Sequence, residues 1–248
     1  MKIISWNVNG LRSVCRKGFW EFLKKENPGA ICLQEIKIDQ ASLSSKFINP
    51  LGYYSFYNPA IRKGYAGTAV FTKAKPKFFT KTIGFRKFDE EGRAAFLEFP
   101  NFKLANVYMP HGGRGKENFP YKFSSYKVLF KALREIKPDI LIGDFNISHT
   151  ELDLGNPKQN KDNTMFTSKE RRQLDKLLSF GYKDSFRLFT REGGHYSWWP
   201  YWNNLRQRNI GWRIDYVFVT TKFASKIKKA FILEKVIGSD HCPIGIEI

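Results

Sequence analysis

Cysteine is scarce. Cys15, Cys32 and Cys242 lie far apart, are odd in number and form no Cys-x-x-Cys spacing. That argues against a zinc ribbon or a disulfide framework, and the three read as buried or incidental reduced thiols. No apolar run approaches the roughly 20 residues of a membrane span. The N-terminus enters a strand pattern directly, without the charged and apolar regions of a signal peptide, so a cytoplasmic location is the default expectation (nucleoid-associated in a prokaryote). A Gly-x-Ser-x-Gly elbow, a Ser-x-x-Lys pair and a Walker-type loop are all missing, which leaves covalent nucleophilic catalysis and P-loop chemistry without a carrier. No repeat, low-complexity segment or linker divides the chain. Its 248 residues, 42% hydrophobic, suffice for one large core, so residues 1–248 are expected to form a single domain.

Acid is the other deficit. Twenty-three Asp and Glu residues face 42 Lys and Arg, a formal charge of +19. Such an excess favours a polyanion through Coulomb attraction and counterion release, and nucleic acid is the obvious candidate. The basic residues are dispersed rather than gathered on one amphipathic helix, which argues against a membrane surface.

What the chain does have is a series of apolar runs ending in polar residues. Ile3-Ile4-Ser5-Trp6 leads into Asn7, and Ala30-Ile31-Cys32-Leu33-Gln34 into Glu35. Leu104-Ala105-Asn106-Val107 leads into Tyr108, Ile140-Leu141-Ile142-Gly143 into Asp144 and Asn146, and Val236-Ile237-Gly238-Ser239 into Asp240 and His241. Buried strands that deliver polar side chains at their ends are how a packed sheet builds a site on its rim. Strands are expected near 2–7, 30–35, 53–57, 67–72, 94–99, 103–109, 139–144, 215–220, 229–233 and 243–247. Helices are expected at Phe19–Leu23 before Asn27-Pro28-Gly29, at Phe123–Ile136 before Pro138, and after the Thr167/Glu170 capping box up to Gly181. Many strands and few helices, mixed along the chain, suggest two sheets packed face to face with helices outside.

A carboxylate at a strand end, as at Glu35, suits a hard divalent cation; an exposed terminal Glu is the plainer alternative. In an extended segment Asp144 and Asn146 point to one side and could share a pocket, although Gly, Asp and Asn also favour turns. His241 could donate to a phosphate oxygen, with Asp215 fixing its tautomer. Water, a carboxylate base, a metal and hydrogen-bond donors suit phosphodiester hydrolysis, where added negative charge must be stabilised. The stretch Tyr196-Ser197-Trp198-Trp199-Pro200-Tyr201-Trp202, followed by Arg206, Arg208, Trp212 and Arg213, suits stacking and phosphate contact, though some rings will belong to the core.

Taken together, these motifs resemble the exonuclease III family of apurinic/apyrimidinic (AP) endonucleases. The matches run in order from Trp6-Asn7-Val8-Asn9-Gly10-Leu11-Arg12 through Leu33-Gln34-Glu35-Ile36-Lys37, Tyr108-Met109-Pro110, Gly143-Asp144-Phe145-Asn146, Asp153–Lys158 and Gly211–Asp215 to Gly238–Pro243. Glu35, Asp144-x-Asn146 and Asp240-His241 alone would mark only the wider superfamily; Asn156-Pro157-Lys158 and Gly211–Asp215 are more specific to its DNA-repair branch. The resemblance implies an α/β fold, a four-layered sandwich of two packed mixed β-sheets flanked by helices. It implies Mg²⁺, with Mn²⁺ as a substitute, bound by Glu35 with Asn9 nearby (many relatives carry Asp there) and organised by Asp240. Asp144 would activate or orient water, Asn7 and Asn146 would position Asp144 and the phosphate, and Tyr108 with the His241–Asp215 pair would stabilise phosphoryl oxygens.

Further implied roles concern the DNA. Trp198, Trp212 and Ile214 match an apolar pocket for a flipped abasic sugar, and Arg114 and Trp202 match residues inserted from either side. His111 stands where relatives have Asn or Gln as a phosphate contact, and Asn156 and Lys158 complete the expected DNA-binding set. No segment like the redox tail of animal relatives precedes the first strand. The expected activity is hydrolysis of the phosphodiester 5′ to an abasic site in duplex DNA, with 3′-phosphodiesterase and 3′→5′ exonuclease activity on 3′-blocked ends, by a monomer. The alternatives are a superfamily phosphoesterase acting on lipid or inositol phosphates, and a non-catalytic nucleic-acid-binding module.

Overall fold

Alternation within the apolar runs decides the architecture. In β1 (Lys2–Asn7), Ile3 packs into one hydrophobic cluster while its neighbours Ile4 and Trp6 pack into another, so the strand is buried on both faces. The same holds for β2 (Ala30–Gln34), where Ala30 and Cys32 face one way and Ile31 and Leu33 the other. Strands covered on both faces read as continuous apolar runs, which is why they stand out in the sequence.

A computed structural model describes residues 1–248. The first sheet adds β3 (Tyr54–Asn58) and β4 (Thr68–Thr72). The second contains β5 (Phe78–Thr80), β6 (Ala94–Glu98), β7 (Lys103–Tyr108), β8 (Ile140–Asp144), β9 (Tyr182–Asp184) and β10 (Asp215–Thr220). The chain then returns to the first sheet with β11 (Lys229–Ile232) and β12 (Ile244–Glu247). The two six-stranded orders are β11-β12-β1-β2-β4-β3 and β5-β6-β7-β8-β10-β9. Each sheet holds one parallel pair, β1/β2 and β7/β8, among antiparallel neighbours.

Helices cover the outer faces. On the first sheet lie α1 (Leu11–Cys15) and α2 (Phe19–Glu26), whose Leu11, Val14, Phe19 and Leu23 pack on Ile4, Trp6 and Ile31. On the second, after the short α3 (Arg86–Glu90), α4 (Phe119–Ile136) and α5 (Ser168–Ser179) set Tyr126, Leu129, Leu133, Leu174 and Leu177 against Ala105, Val107 and Leu141. The one-turn α6 (Thr221–Ala224) inserts Phe223 between the sheets. The result is the expected four layers.

The helix ends follow the local chemistry. Asn27 and Lys137 close α2 and α4 in left-handed conformations, and Thr167 and Glu170 form the capping box of α5. All ten expected strands are present to within a residue at each end. The strands β5 and β9, each of three residues, and the short helices α1, α3 and α6 were not expected. Elements this short carry too few residues to show a period. The thiols are unpaired as expected, with Cys32 and Cys242 buried and Cys15 half-buried.

Candidate active site

Strand register brings the polar ends to one rim. In the second sheet Tyr108 pairs with Asp144, and Asp144 with Asp215, so three side chains from three strands stand side by side. In the first sheet Asn7 pairs with Gln34, and Glu35 follows at once. The antiparallel β12 begins where β1 ends, so Asp240 and His241, just before it, arrive at the same edge. Parallel strands contribute their C-terminal ends there and antiparallel ones their N-terminal ends.

Three residues leave their strands in the left-handed region: Asn9 (φ 44°), Glu35 (φ 51°) and Asn146 (φ 51°). For a residue with a Cβ this conformation costs of order 1–2 kcal/mol, and such strain clusters where geometry is functional. Gly143 (φ 141°) lets β8 approach β7: a Cβ there would stand 2.0 Å from the Val107 carbonyl oxygen.

Across the gap between the sheets, the fully buried Asn7 amide donates to Glu35 Oε1 and to Asp144 Oδ2, both at 2.9 Å. Asn146 donates its backbone N–H to Asp144 Oδ1 at 2.8 Å and its amide to the Met109 carbonyl at 2.9 Å. His241 Nδ1 meets Asp215 Oδ2 at 2.8 Å, while Nε2 lies 4.0 Å from Asp144 Oδ2. Ser197 completes that pair: its hydroxyl accepts the N–H groups of Ile214 and Asp215 at 3.1 Å and donates to Asp215 Oδ2 at 2.6 Å. The other Asp215 oxygen, Oδ1, is buried without a protein donor.

Glu35, Asp144 and His241 offer ligand atoms all within 4.8 Å of one another. Two carboxylates from different sheets suit a hard divalent cation, and the imidazole suits its hydrogen-bonding surroundings. Asp240 lies outside that cluster. Its Oδ1 accepts from Asn9 Nδ2 at 2.9 Å and Ser239 Oγ at 3.1 Å, and its Oδ2 from Trp198 Nε1 at 3.0 Å. Lys37 bridges Glu35 Oε2 at 2.9 Å and Asn9 Oδ1 at 2.5 Å.

The electrostatics follow from burial and these neighbours. Burial works against charge on Glu35, but the Lys37 ammonium and the Asn7 amide outweigh it and hold the carboxyl below its usual range. Burial and then the Asp215 charge push Asp144 up to about 8. Burial also disfavours a charged His241, yet Asp215, with Asp240 and Asp144 nearby, raises it to about 10. At neutral pH His241 is therefore an imidazolium, a donor facing the Asp144 side. Burial and then the Glu35 charge keep Tyr108 a neutral phenol, and the Arg93 guanidinium lies 4.4 Å from its ring.

Beside this centre, Trp212 and Ile214 form a cluster with Leu154, Met165 and Phe166, and Trp198 packs against it. The Trp198 and His241 rings are 6.3 Å apart, so the apolar cluster adjoins the polar one. Trp202 is 53% exposed and its ring lies 5.8 Å from the Arg114 guanidinium, so the two candidate inserting residues stack on each other. His111 is exposed and accepts the Gly113 N–H at Nδ1, which puts its own ring hydrogen on Nε2. Asn156 (φ 56°) and Lys158 are exposed in the loop that follows the buried Asp153.

Several contributors were not singled out in the sequence. Lys37 sits two residues from Glu35 inside a quoted motif, and that spacing was the available signal. Ser197, Ser239 and Leu154 lie inside stretches noted for other residues, and Ser239 bonds its neighbour Asp240. Arg93, Met165 and Phe166 carried no signal, because their partners are distant in sequence.

Residues 4–241 match the Endonuclease/Exonuclease/phosphatase family. The chain is 44% identical to an exodeoxyribonuclease of Bacillus subtilis (strain 168) over 253 residues, covering 100% of this chain and 99% of that protein. It is also 44% identical to a DNA-(apurinic or apyrimidinic site) endonuclease of Dictyostelium discoideum, over 100% of this chain and 70% of the relative. Among solved structures, a 3′-5′ exonuclease from Neisseria meningitidis superposes with a TM-score of 0.90 at 27% identity, covering 100% of this chain and 99% of that one. The two-sheet fold, the polar rim and these likenesses together establish that the chain belongs to the endonuclease/exonuclease/phosphatase family.

Proposed function

We propose that this protein is a Mg²⁺-dependent DNA-repair nuclease. It hydrolyses the phosphodiester 5′ to an abasic site in duplex DNA and acts on blocked 3′ ends by the same chemistry, as a single-domain monomer working wherever the cell keeps its DNA. The observation that carries this reading is the Asn7 amide, which ties Glu35 of one sheet to Asp144 of the other at 2.9 Å each. No helix is long and apolar enough to cross a membrane, and the +19 charge favours a nucleic-acid polyanion.

Glu35, with the Asp144 carboxyl beside it and Asn9 and Asp240 on its outer side, would hold the cation; Mn²⁺ fits the same oxygen donors. When bound, the cation supplies a positive charge against the developing phosphoryl charge. Burial leaves Asp144 largely protonated at neutral pH in the cation-free protein. A bound cation would favour its carboxylate form, which then orients the attacking water and takes its proton, held in place by Asn7 and Asn146. The His241 imidazolium, fixed by Asp215, and the neutral Tyr108 hydroxyl donate to phosphoryl oxygens. Trp198, Trp212 and Ile214 enclose the flipped sugar, and a closed apolar pocket of this kind has no room for a base. Arg114, Trp202, His111, Asn156 and Lys158 contact the duplex around it.

The test is incubation with duplexes carrying an abasic analogue, uracil, a 3′-phosphate or no lesion, beside a phosphoinositide, with Mg²⁺ and with EDTA. Cleavage 5′ to the abasic analogue, lost in EDTA, is expected. Turnover of the phosphoinositide alone would point to the lipid-phosphate branch. Asp144→Asn is expected to lower turnover by about 10³-fold or more with DNA affinity within roughly threefold, because a general base contributes about 10²–10⁴-fold. Near-normal cleavage by that variant would remove Asp144 from the mechanism.

A further inference from the structure

Trp198 belongs to two environments at once. Its ring packs on the apolar cluster of Trp212, Ile214, Leu154 and Phe166. Its indole Nε1–H donates to Asp240 Oδ2 at 3.0 Å. Its backbone repeats the connection: Trp198 bridges Trp212 on one side and His241 on the other, and the Trp199 N–H donates to the Asp240 carbonyl at 3.0 Å.

Asp240 in turn reaches the cation site. Its other oxygen takes the Asn9 amide, Asn9 takes Lys37, and Lys37 pairs with Glu35. Ser239 Oγ at 3.1 Å and the Tyr201 hydroxyl at 3.4 Å also hold Oδ1, but the indole is the sole protein donor on Oδ2 and so sets the direction in which that half-buried oxygen turns. The same loop is fastened to the segment before Asp240 by Arg206, whose guanidinium donates to the carbonyls of Glu234 (2.9 Å), Val236 (2.6 Å) and Ser239 (2.9 Å).

We propose that Trp198 is a positioning residue for the cation centre as well as a pocket wall: its indole N–H fixes the Asp240 carboxylate, so that filling the apolar pocket and ordering the metal-side residues are one event. This inference rests on the abasic-site reading for the identity of the pocket's occupant, but the indole–carboxylate link stands on geometry alone. It gives discrimination a physical basis. A sugar seated against Trp198 holds the ring, the ring holds Asp240, and Asp240 holds Asn9 and, through Lys37, Glu35. A nucleotide that pushes the Trp198 ring aside to fit its base would break this bond and slacken the chain.

Trp198→Phe separates the two roles, because it keeps an aromatic wall and deletes the N–H. Loss of a group that orients a ligand shell commonly costs 10–100-fold in metal affinity or activity. The expected result on an abasic duplex is a kcat lower by 10–100-fold with KM within about threefold. Mn²⁺ binding to the DNA-free protein, titrated by electron paramagnetic resonance, should weaken about tenfold. In an Asp240→Asn background the same change should add little further loss, since both ends of one link have then been altered. Wild-type kcat and Mn²⁺ affinity in Trp198→Phe, or a raised KM alone, would reduce Trp198 to a wall. Full additivity with Asp240→Asn would break the link between them. If the unaltered protein fails to cut abasic DNA, the functional reading falls, while the Mn²⁺ titration still decides the link.

Discussion

At the scale of single residues, the centre works by opposing two costs, burial and charge. Asp215 is the clearest lever. Its carboxylate is what lets a fully buried imidazole stay charged, against a burial effect that alone would discharge it. Asp215→Asn removes that charge and leaves the shape, so the His241 titration midpoint should fall from about 10 toward or below the ordinary histidine range. The His241 Hε1 resonance followed by NMR against pH would show it. A histidine whose folded-state pKa is raised stabilises the fold fully below its unfolded pKa, near 6.5, and that contribution is lost as pH rises through about 10. The pH dependence of stability in that window should therefore flatten in Asp215→Asn, as read by urea unfolding at several pH values. An unmoved His241 midpoint would mean that another group carries the charge.

At the scale of elements, the loops of the rim are tied to the helices by buried ion pairs. Lys122 on α4 donates to Glu170 on α5 at 2.6 Å and to the Asn146 carbonyl at 2.7 Å, and both charged side chains are fully buried. Glu170 also accepts the N–H groups of Met165 and Thr167, so one carboxylate fixes the cap of α5 and the segment that lines the apolar cluster. Lys122→Met leaves Glu170 buried and unpaired, which is expected to cost about 3–5 kcal/mol in denaturant unfolding. Replacing both partners with apolar residues should cost less than Lys122→Met alone. A buried triad away from the helices, Arg213 with Asp153 at 2.8 Å and Asp184 at 2.7 Å, holds the Gly211–Asp215 segment down. The opposing charges hold Asp153 down to about 2, despite burial.

At the scale of the whole molecule, two features matter: the seam between the sheets and the net charge. Deep in the seam the packing is apolar, with Ile3, Cys32, Leu104, Ile140, Val217 and Ile246 in one cluster. Just beneath the rim it turns polar. Gln34 Nε2 donates to Asn106 Oδ1 at 2.7 Å, and the Asn106 amide donates to the carbonyls of Leu33 and Ala69 at 3.1 Å each. These bonds set the spacing between Glu35 on one sheet and Tyr108 on the other. The +19 charge acts at longer range. Affinity for duplex DNA should fall linearly with log salt, with a slope of about −0.9 per phosphate contacted, read by fluorescence anisotropy. A slope near zero would detach the charge from DNA binding.

The strands were legible because both faces of each central strand are buried, so their apolar runs and polar terminators survive in the one-dimensional pattern. Glu35 and Asp144 were legible for the same reason, as strand terminators. The run Val236–Ser239 is instead a loop with Ile237 exposed, so His241 stands just before β12 and was legible only through its motif. The order of the motifs carried the resemblance to the family. Ser197, Lys122, Glu170 and the Trp198–Asp240 bond were not. Each is defined by a partner far away along the chain, and a hydroxyl, an ammonium or an indole N–H carries no mark of what it will meet. The sequence by itself determined the strands, the chemical types at their ends and the basic charge, because these depend on local period and composition. That Glu35, Asp144 and His241 converge within 4.8 Å while Asp240 turns to Asn9, Ser239 and Trp198 emerges only in three dimensions, because it depends on register and on the short distance between two sheets.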